Sequence, residues 1–354
     1  MNNSIIEQNS HFNNKNDEIE EEILCDIIFN PDGTVKIIDW RGKKLKNLDY
    51  VQSLIRIYGD ERKLKNERVL TCGEYLEFAY ETEESIDGKL HRAFFCRDRL
   101  CPMCAWRRTL KVFAQASAVM TEATSQGYKF IFLTLTVKNV KSDELDNTIK
   151  KMNDAFAKMR RRKKFTGGIK GFFKALEISY NKDTDEYHPH FHIILAVKPS
   201  YFKSRYYISQ EEFTELWKDV MDLDYTPIVD VRAFKAATKK ELAKSTAEAA
   251  KYTVKDSDYL LRDKRGEIDI NRTDKVVKTL VDALYGKRLI AWGGVLKDIH
   301  KQLNLDDSED GDLVITGVED EAGAAYIIRQ YCWYVGATGK MNYYLCDTRK
   351  PSEK

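Results

Sequence analysis

Hydrophobic and polar positions follow two different rhythms along the middle of this chain, and together they predict an ordered set of elements. Residues 130–137, Phe-Ile-Phe-Leu-Thr-Leu-Thr-Val, are apolar, aromatic and β-branched and predict a strand. Leu145, Ile149, Met152, Phe156 and Met159 recur at helical spacing, with Ser142 as the expected N-cap. Residues 172–180 predict a second strand, and the polar run 181–186 a turn into a third strand ending near Val197. Ser209-Gln-Glu-Glu212 is a capping box that opens a helix through Trp217 and Met221. Residues 227–234 predict a fourth strand and residues 237–253 a further helix. The order β-α-β-β-α-β is the split βαβ arrangement of ferredoxin-like and RRM-like domains. It implies an α+β fold with a central antiparallel sheet, flanking helices, and the first and third strands adjacent.

The flanks read differently. Residues 1–24 are polar and acidic and are expected to be disordered. Residues 25–110 predict short strands around a group of cysteines, a small zinc-ribbon-like module. A helix is expected over 108–126, stopped by Gly127. The core is then assigned to 111–265 and a C-terminal extension to 266–354. That extension, with Arg288-Leu-Ile-Ala-Trp-Gly-Gly294 and Tyr331-Cys-Trp-Tyr334, has no evident chemistry; it completes the core or binds a partner.

Composition narrows the class. The 354 residues are 43% apolar, enough for a packed core. Neither a bilayer-spanning run nor an N-terminal signal pattern is seen, so a cytoplasmic protein with no membrane partner is expected. The net charge of +2 does not itself announce a nucleic acid, but Arg160, Arg161, Arg162, Lys163 and Lys164 run together and are a candidate phosphate contact. Arg107, Arg108 and Lys111 are further candidates for phosphate contact, and the aromatics Tyr206, Tyr207 and Trp217 are equally candidates for stacking on unpaired bases and for the core.

Three groups of residues carry chemistry. His188, His190 and His192 alternate with apolar residues, so on a strand they share one face, and His190 and His192 make half of a divalent-metal site. Glu177, on the neighbouring strand of the hairpin, is the expected third ligand, with His188 a further imidazole or a supporting group. Cys101-x-x-Cys104, with Cys96 and the more distant Cys72, suggests a four-thiolate zinc site in which His91 could replace one thiolate. Cys25, Cys332 and Cys346 have no evident partners. On the last core helix Glu248 and Tyr252 share a face and Lys255 lies close to it, a set suited to nucleophilic attack on a phosphodiester by Tyr252. Tyr259 is a nearby rival for that role.

Taken in order, Phe132-Leu-Thr-Leu-Thr136, His188-Pro-His-Phe-His192 and Glu248-x-x-x-Tyr252-x-x-Lys255 resemble the motifs of HUH endonucleases. The closer resemblance is to the rolling-circle replication initiators of small Gram-positive plasmids. The segment from Cys96 to Arg108 and the segment Glu177-Ile-Ser-Tyr-Asn181 strengthen it, and it covers about residues 70–300. It implies a nickase that cuts one strand at the plasmid's double-strand origin. Tyr252 would form a 5′-phosphotyrosine link and leave a 3′-OH primer, and Glu248 would activate water for the terminating hydrolysis. Mg²⁺ or Mn²⁺ is implied at His190 and His192, with a host helicase and polymerase as partners; a homo-oligomer is left open.

Two other classes fit parts of the pattern. A non-catalytic, zinc-containing protein that binds single-stranded nucleic acid would use the same sheet, although no RNP-like glycine-aromatic run is present. A metallohydrolase would use a metal-bound water and leave Tyr252 dispensable. Within the resembled superfamily, a transposase or relaxase is the alternative to an initiator.

Overall fold

The computed structural model describes residues 21–24, 26–29, 35–86, 88–234, 246, 254–314 and 326–350. Glu248, Tyr252, Cys25 and residues 1–20 lie outside the described residues. The described chain begins with a hairpin of β1 (Asp26–Phe29) and β2 (Val35–Ile38), then α1 (Trp40–Tyr58), α2 (Lys63–Leu70), β3 (Tyr75–Tyr80) and β4 (Lys89–Ala93). A long helix, α3 (Pro102–Ser125), leads into β5 (Lys129–Thr136), α4 (Leu145–Met159) and the short α5 (Lys163–Gly168). After these come β6 (Ile169–Asn181), β7 (Glu186–Val197), α6 (Gln210–Met221) and β8 (Val229–Ala233). The final part holds α7 (Ile270–Leu284), β9 (Ile290–Gly294), α8 (Val295–Gln302) and the hairpin β10 (Ile327–Val335) with β11 (Met341–Arg349).

The central sheet has strand order β8-β5-β7-β6-β9, antiparallel throughout. Its first four strands have the split βαβ order, with β5 and β7 adjacent in the middle as the sequence predicts. One face is apolar because alternate residues of β7 are apolar. Phe191 packs its ring 6.2 Å from Phe156 of α4 and 6.4 Å from Trp217 of α6. Trp217 is fully buried, and its indole donates to the Thr136 carbonyl at 2.8 Å, tying α6 to the end of β5. Of the two roles the sequence leaves open for Trp217, stacking and core packing, the structure shows the core one. The Ser209 capping box forms as expected. By contrast, α4 starts at Leu145 with Glu144 as its N-cap rather than Ser142.

A second sheet, of order β11-β10-β3-β4, joins the two ends of the chain. Residues 21–24, expected to be disordered, lie along its edge: the Leu24 amide donates to the Tyr343 carbonyl and the Leu345 amide to the Glu22 carbonyl. An unpaired edge supplies those partners, which local polarity does not reveal. Cys332 and Cys346, without evident partners in the sequence, form a cross-strand disulfide between β10 and β11. The residues after 266 are thus woven into both sheets, since β9 extends the central one beside β6.

Candidate functional site

Register builds the histidine site. On the central sheet Glu177 stands directly opposite His190, and Thr136 flanks His190 from the other side. His192 stands opposite Thr134 and Ala175. All these side chains leave the face opposite Phe191. The Glu177 carboxylate reaches 2.8 Å from His192 Nε2 and 3.6 Å from His190 Nε2. Burial opposes ionisation of Glu177, but its hydrogen bonds to His190 and His192 outweigh that effect and hold it well below the usual carboxylate range.

The imidazoles are oriented from behind. His190 Nδ1 lies 3.1 Å from the His188 carbonyl, so a proton on Nδ1 leaves Nε2 free as a ligand. His192 Nδ1 lies 3.5 Å from Thr134 Oγ1, and its ring stacks on Phe132. These contacts restrict both rings to one presentation of Nε2. Glu177, His190 and His192 offer ligand atoms within 4.8 Å of one another, one carboxylate and two imidazoles, a donor set that fits a divalent cation with open positions. His188 is not in this trio; its ring stacks on His190 at 5.1 Å, and burial lowers its basicity.

Lys255 Nζ lies 3.8 Å from Glu177 Oε1, so the end of the segment carrying the candidate nucleophile meets the histidine site. Asp258, which no sequence pattern singles out, enters the same region. Burial pushes its carboxyl up, Lys255 opposes the rise and Glu177 adds to it. His188, Asp258, Ser257, Asn139 and Ser179 line an open cleft of about 570 Å³ beside the trio. Tyr259, the rival nucleophile, is 1% exposed, and its hydroxyl donates to the Leu100 carbonyl. It is part of the packing and is not presented to a substrate.

Cys72, Cys96, Cys101 and Cys104 are all buried and bring their sulfurs within 4.8 Å of one another. Three sulfur pairs lie at 3.6 Å. A tetrahedral ion with bonds of ~2.3 Å to sulfur requires sulfur separations of ~3.8 Å, so the set fits a thiolate-bound ion. Local backbone geometry aims donors at the sulfurs. Gly73 follows Cys72 at φ +63°, where a side chain would run into Met103. Arg97 follows Cys96 at φ 61° and turns its amide onto Cys104 Sγ at 3.2 Å. From α1, Asn47 donates to Cys101 Sγ, and the buried Lys44 ammonium donates to the Cys72 carbonyl at 2.8 Å. Burial raises the thiols of Cys72, Cys96 and Cys104; at Cys101 it is outweighed by the hydrogen bonds from its three neighbours, which lower that thiol. His91 is exposed on β4 and takes no part in the cluster. Lys44 and Asn47 carry no metal-site signature in the sequence; only the packing of α1 reveals them.

Several expected DNA contacts have other partners. Arg107 donates to the Leu313 carbonyl at 2.8 Å and the Val314 carbonyl at 2.6 Å. Arg108 donates to the carbonyls of Glu309, Asp98 and Arg97. Lys111 pairs with Asp306 and donates to the Asp312 carbonyl. All three are buried, because this face of α3 is covered by residues 306–314. In the basic run, Arg162 pairs with Asp219 and Lys164 with Glu212, while all five cations remain exposed.

Among the described residues no helix is long and apolar enough to cross a membrane. No solved structure matches the chain. Curated sequences do. A Protein rep of Bacillus amyloliquefaciens is 43% identical over 323 residues, covering 86% of this chain and 93% of the relative. A Protein rep of Lactiplantibacillus plantarum is 40% identical over 292 residues, covering 80% and 88%. A Protein rep of Streptococcus pneumoniae is 38% identical over 296 residues, covering 80% and 85%. The family model described as Replication protein matches residues 87–343, a span that includes three of the four cysteines, the histidine strand and Lys255. With likeness of this extent along most of both chains, the protein belongs to the Replication protein family, the rolling-circle initiators of Gram-positive plasmids.

Proposed function

We propose that the protein nicks one strand of its plasmid's double-strand origin by attack of Tyr252, and that the histidine site is where the scissile phosphate is held. The observation that carries this reading is the convergence of Glu177, His190, His192 and Lys255, beside an open cleft lined by His188, which stacks on His190. Tyr252 is three residues before Lys255, so the chain cannot carry its Cα more than ~11 Å from that of Lys255. The phenol oxygen attacks phosphorus, the P–O3′ bond breaks, and the departing oxygen takes a proton to become the 3′-OH primer. The Lys255 ammonium favours the phenolate and the negative charge that develops on the phosphate. Glu177, fixed between the two imidazoles, keeps the ligating nitrogens aimed at one point. A Mg²⁺ or Mn²⁺ ion held by Glu177, His190 and His192 would supply Lewis-acid polarisation and orientation of the phosphate. Glu248 serves the later, second cleavage: it takes the proton of a water that attacks the scissile phosphorus, the P–O3′ bond breaks to leave a 3′-OH, and this hydrolysis ends the cycle.

The cysteine set is assigned to structural Zn²⁺, with no part in the reaction. The exposed run Arg160, Arg161, Arg162, Lys163 and Lys164 is assigned to backbone contact with origin DNA, which positions the duplex without reading sequence. The nick and its 3′-OH are the substrates that a host helicase and polymerase require, and the reaction belongs in the cytoplasm.

The test is a denaturing gel of the full chain incubated with a single-stranded oligonucleotide spanning the origin nick, with and without Mn²⁺. A metal-dependent protein–DNA adduct that disappears in Tyr252→Phe and persists in Glu248→Ala is the expected result. Cleavage without an adduct would indicate hydrolysis by metal-bound water instead. Binding with no cleavage under any metal would indicate a non-catalytic binding protein.

A further inference from the structure

A second cleft, of about 500 Å³, lies between α2, the cysteine knuckle and the turn after α7. Its walls carry Lys65, Arg68, Arg97 and Arg99, its floor includes Leu100, and Tyr285 stands at its edge. The geometry points to a binding site here for single-stranded DNA, with phosphates on the cations and an unpaired base on Tyr285. The inference rests on the nicking reading for its ligand class and concerns a surface apart from the histidine site.

Charge accounting favours an anion. Lys65 pairs with Asp98 at 3.1 Å, and Arg99 faces Glu309 at 3.6 Å while donating to the Leu284 carbonyl. Arg99 thereby covers the carbonyl end of α7, which would otherwise repel a phosphate. Arg68 and Arg97 have no carboxylate partner among the described residues, and both are exposed. Arg68 is three residues after Lys65, so the two share one face of α2. Arg97 is placed by the cysteine cluster itself, through its amide on Cys104 Sγ. The cations are therefore mounted on fixed backbone.

The aromatic edge favours a single strand. Tyr285 is 82% exposed, an unusual state for a large ring beside a cleft. Duplex bases have their faces covered by stacking, whereas an unpaired base offers a face to such a ring. Leu100 accepts the Tyr259 hydroxyl, four residues after Lys255, so the floor of this cleft is bonded to the segment that reaches the histidine site. A strand held here lies on the side of the knuckle that supports that segment.

The test is fluorescence anisotropy of the full chain with a labelled homothymidine strand of about 20 nucleotides, and with a duplex of equal length, without added divalent metal. These conditions need neither origin sequence nor cleavage, so this result and that of the nicking gel stand or fall separately. Tyr285→Ala is expected to weaken single-strand binding by about fivefold or more and leave duplex binding unchanged. Arg68→Ala is expected to weaken it too and to reduce the slope of log affinity against log salt by about 0.7. Both residues are exposed, and an unchanged melting temperature confirms that each variant folds. Single-strand affinity and salt slope unchanged in both variants would overturn the proposal. So would equal losses on duplex and single strand in Tyr285→Ala.

Discussion

The two clusters of ligating side chains differ in enclosure. The cysteine cluster supplies four donors, all buried, and it is surrounded by the Lys44 ammonium of α1 and by backbone amides of the loop that follows β4. The histidine cluster supplies three donors, of which Glu177 and His192 are buried and His190 is partly open, and His188, stacked on His190, lines a cleft. A closed four-donor set stabilises structure, whereas a three-donor set with an open side leaves room for a substrate oxygen. On the proposed reading, the chain uses one kind of group to hold its fold and the other to meet its substrate. The distinction follows from the number of donors and access to them, with no reference to family.

The sharpest way to break the comparison is to damage each cluster in turn. On the structural-zinc assignment, Cys101→Ser should cost the folded state outright or lower the melting temperature by more than about 10 °C, because such an ion contributes roughly 10 kcal/mol or more to small metal-bound modules. Thermal unfolding checks this; a variant that melts like the parent would make the thiols ordinary core residues. His192→Ala should do the reverse, reducing adduct formation at least about 100-fold while the melting temperature moves by only a few degrees. Collapse of the fold in that variant would erase the contrast.

A buried charge on the far face of the same sheet tests whether burial alone marks function. Lys174 is 5% exposed, donates to Asn153 Oδ1 and lies 4.0 Å over the Phe191 ring; burial pushes its ammonium down to about 7. Its ordinary value is 10.5, so between about pH 7 and 10.5 the unfolded chain binds a proton that the native chain lacks. Stability should therefore rise with pH across that window, and the full cost of burying the ammonium applies below it. Lys174→Met should be the more stable protein by about 2–5 kcal/mol at pH 6, with the difference shrinking toward pH 10.5. Denaturant melts of both proteins across pH measure it. A constant difference would mean that the amine keeps its charge throughout.

The smallest effect concerns the link between the clusters. Tyr259→Phe removes one buried hydroxyl bond and should cost about 1–2 kcal/mol while keeping adduct formation. Loss of the adduct in this variant would reinstate Tyr259 as a participant in the chemistry.

Much of the central sheet is legible in the sequence because its signals are local. Residues 130–137 are an apolar, aromatic and β-branched run, the histidine strand alternates, α4 carries a clear apolar stripe, and Glu177 meets His190 once the hairpin turn at 181–186 sets the register. The thiol cluster is half legible: Cys101 and Cys104 sit one helical turn apart, whereas Cys72 is brought in by the turn at Gly73 across more than twenty residues. The fates of Arg107, Arg108 and Lys111 are not legible at all. A basic pair on a helix has the same local pattern whether it meets DNA or a carbonyl some two hundred residues away. β9 and the second sheet are hidden for the same reason, since strand pairing between distant segments leaves no periodic trace.

Those two arginines also set a timetable. Arg107 and the carbonyl that receives it are 206 residues apart in sequence. A ribosome adding ~5–20 residues per second needs about 10–40 s to supply that partner once Arg107 has been made. Until then α3 carries an arginine whose acceptors, the Leu313 and Val314 carbonyls, have not been made. A chain truncated before Leu313 should therefore leave that arginine unsatisfied and melt at a lower temperature than the full chain.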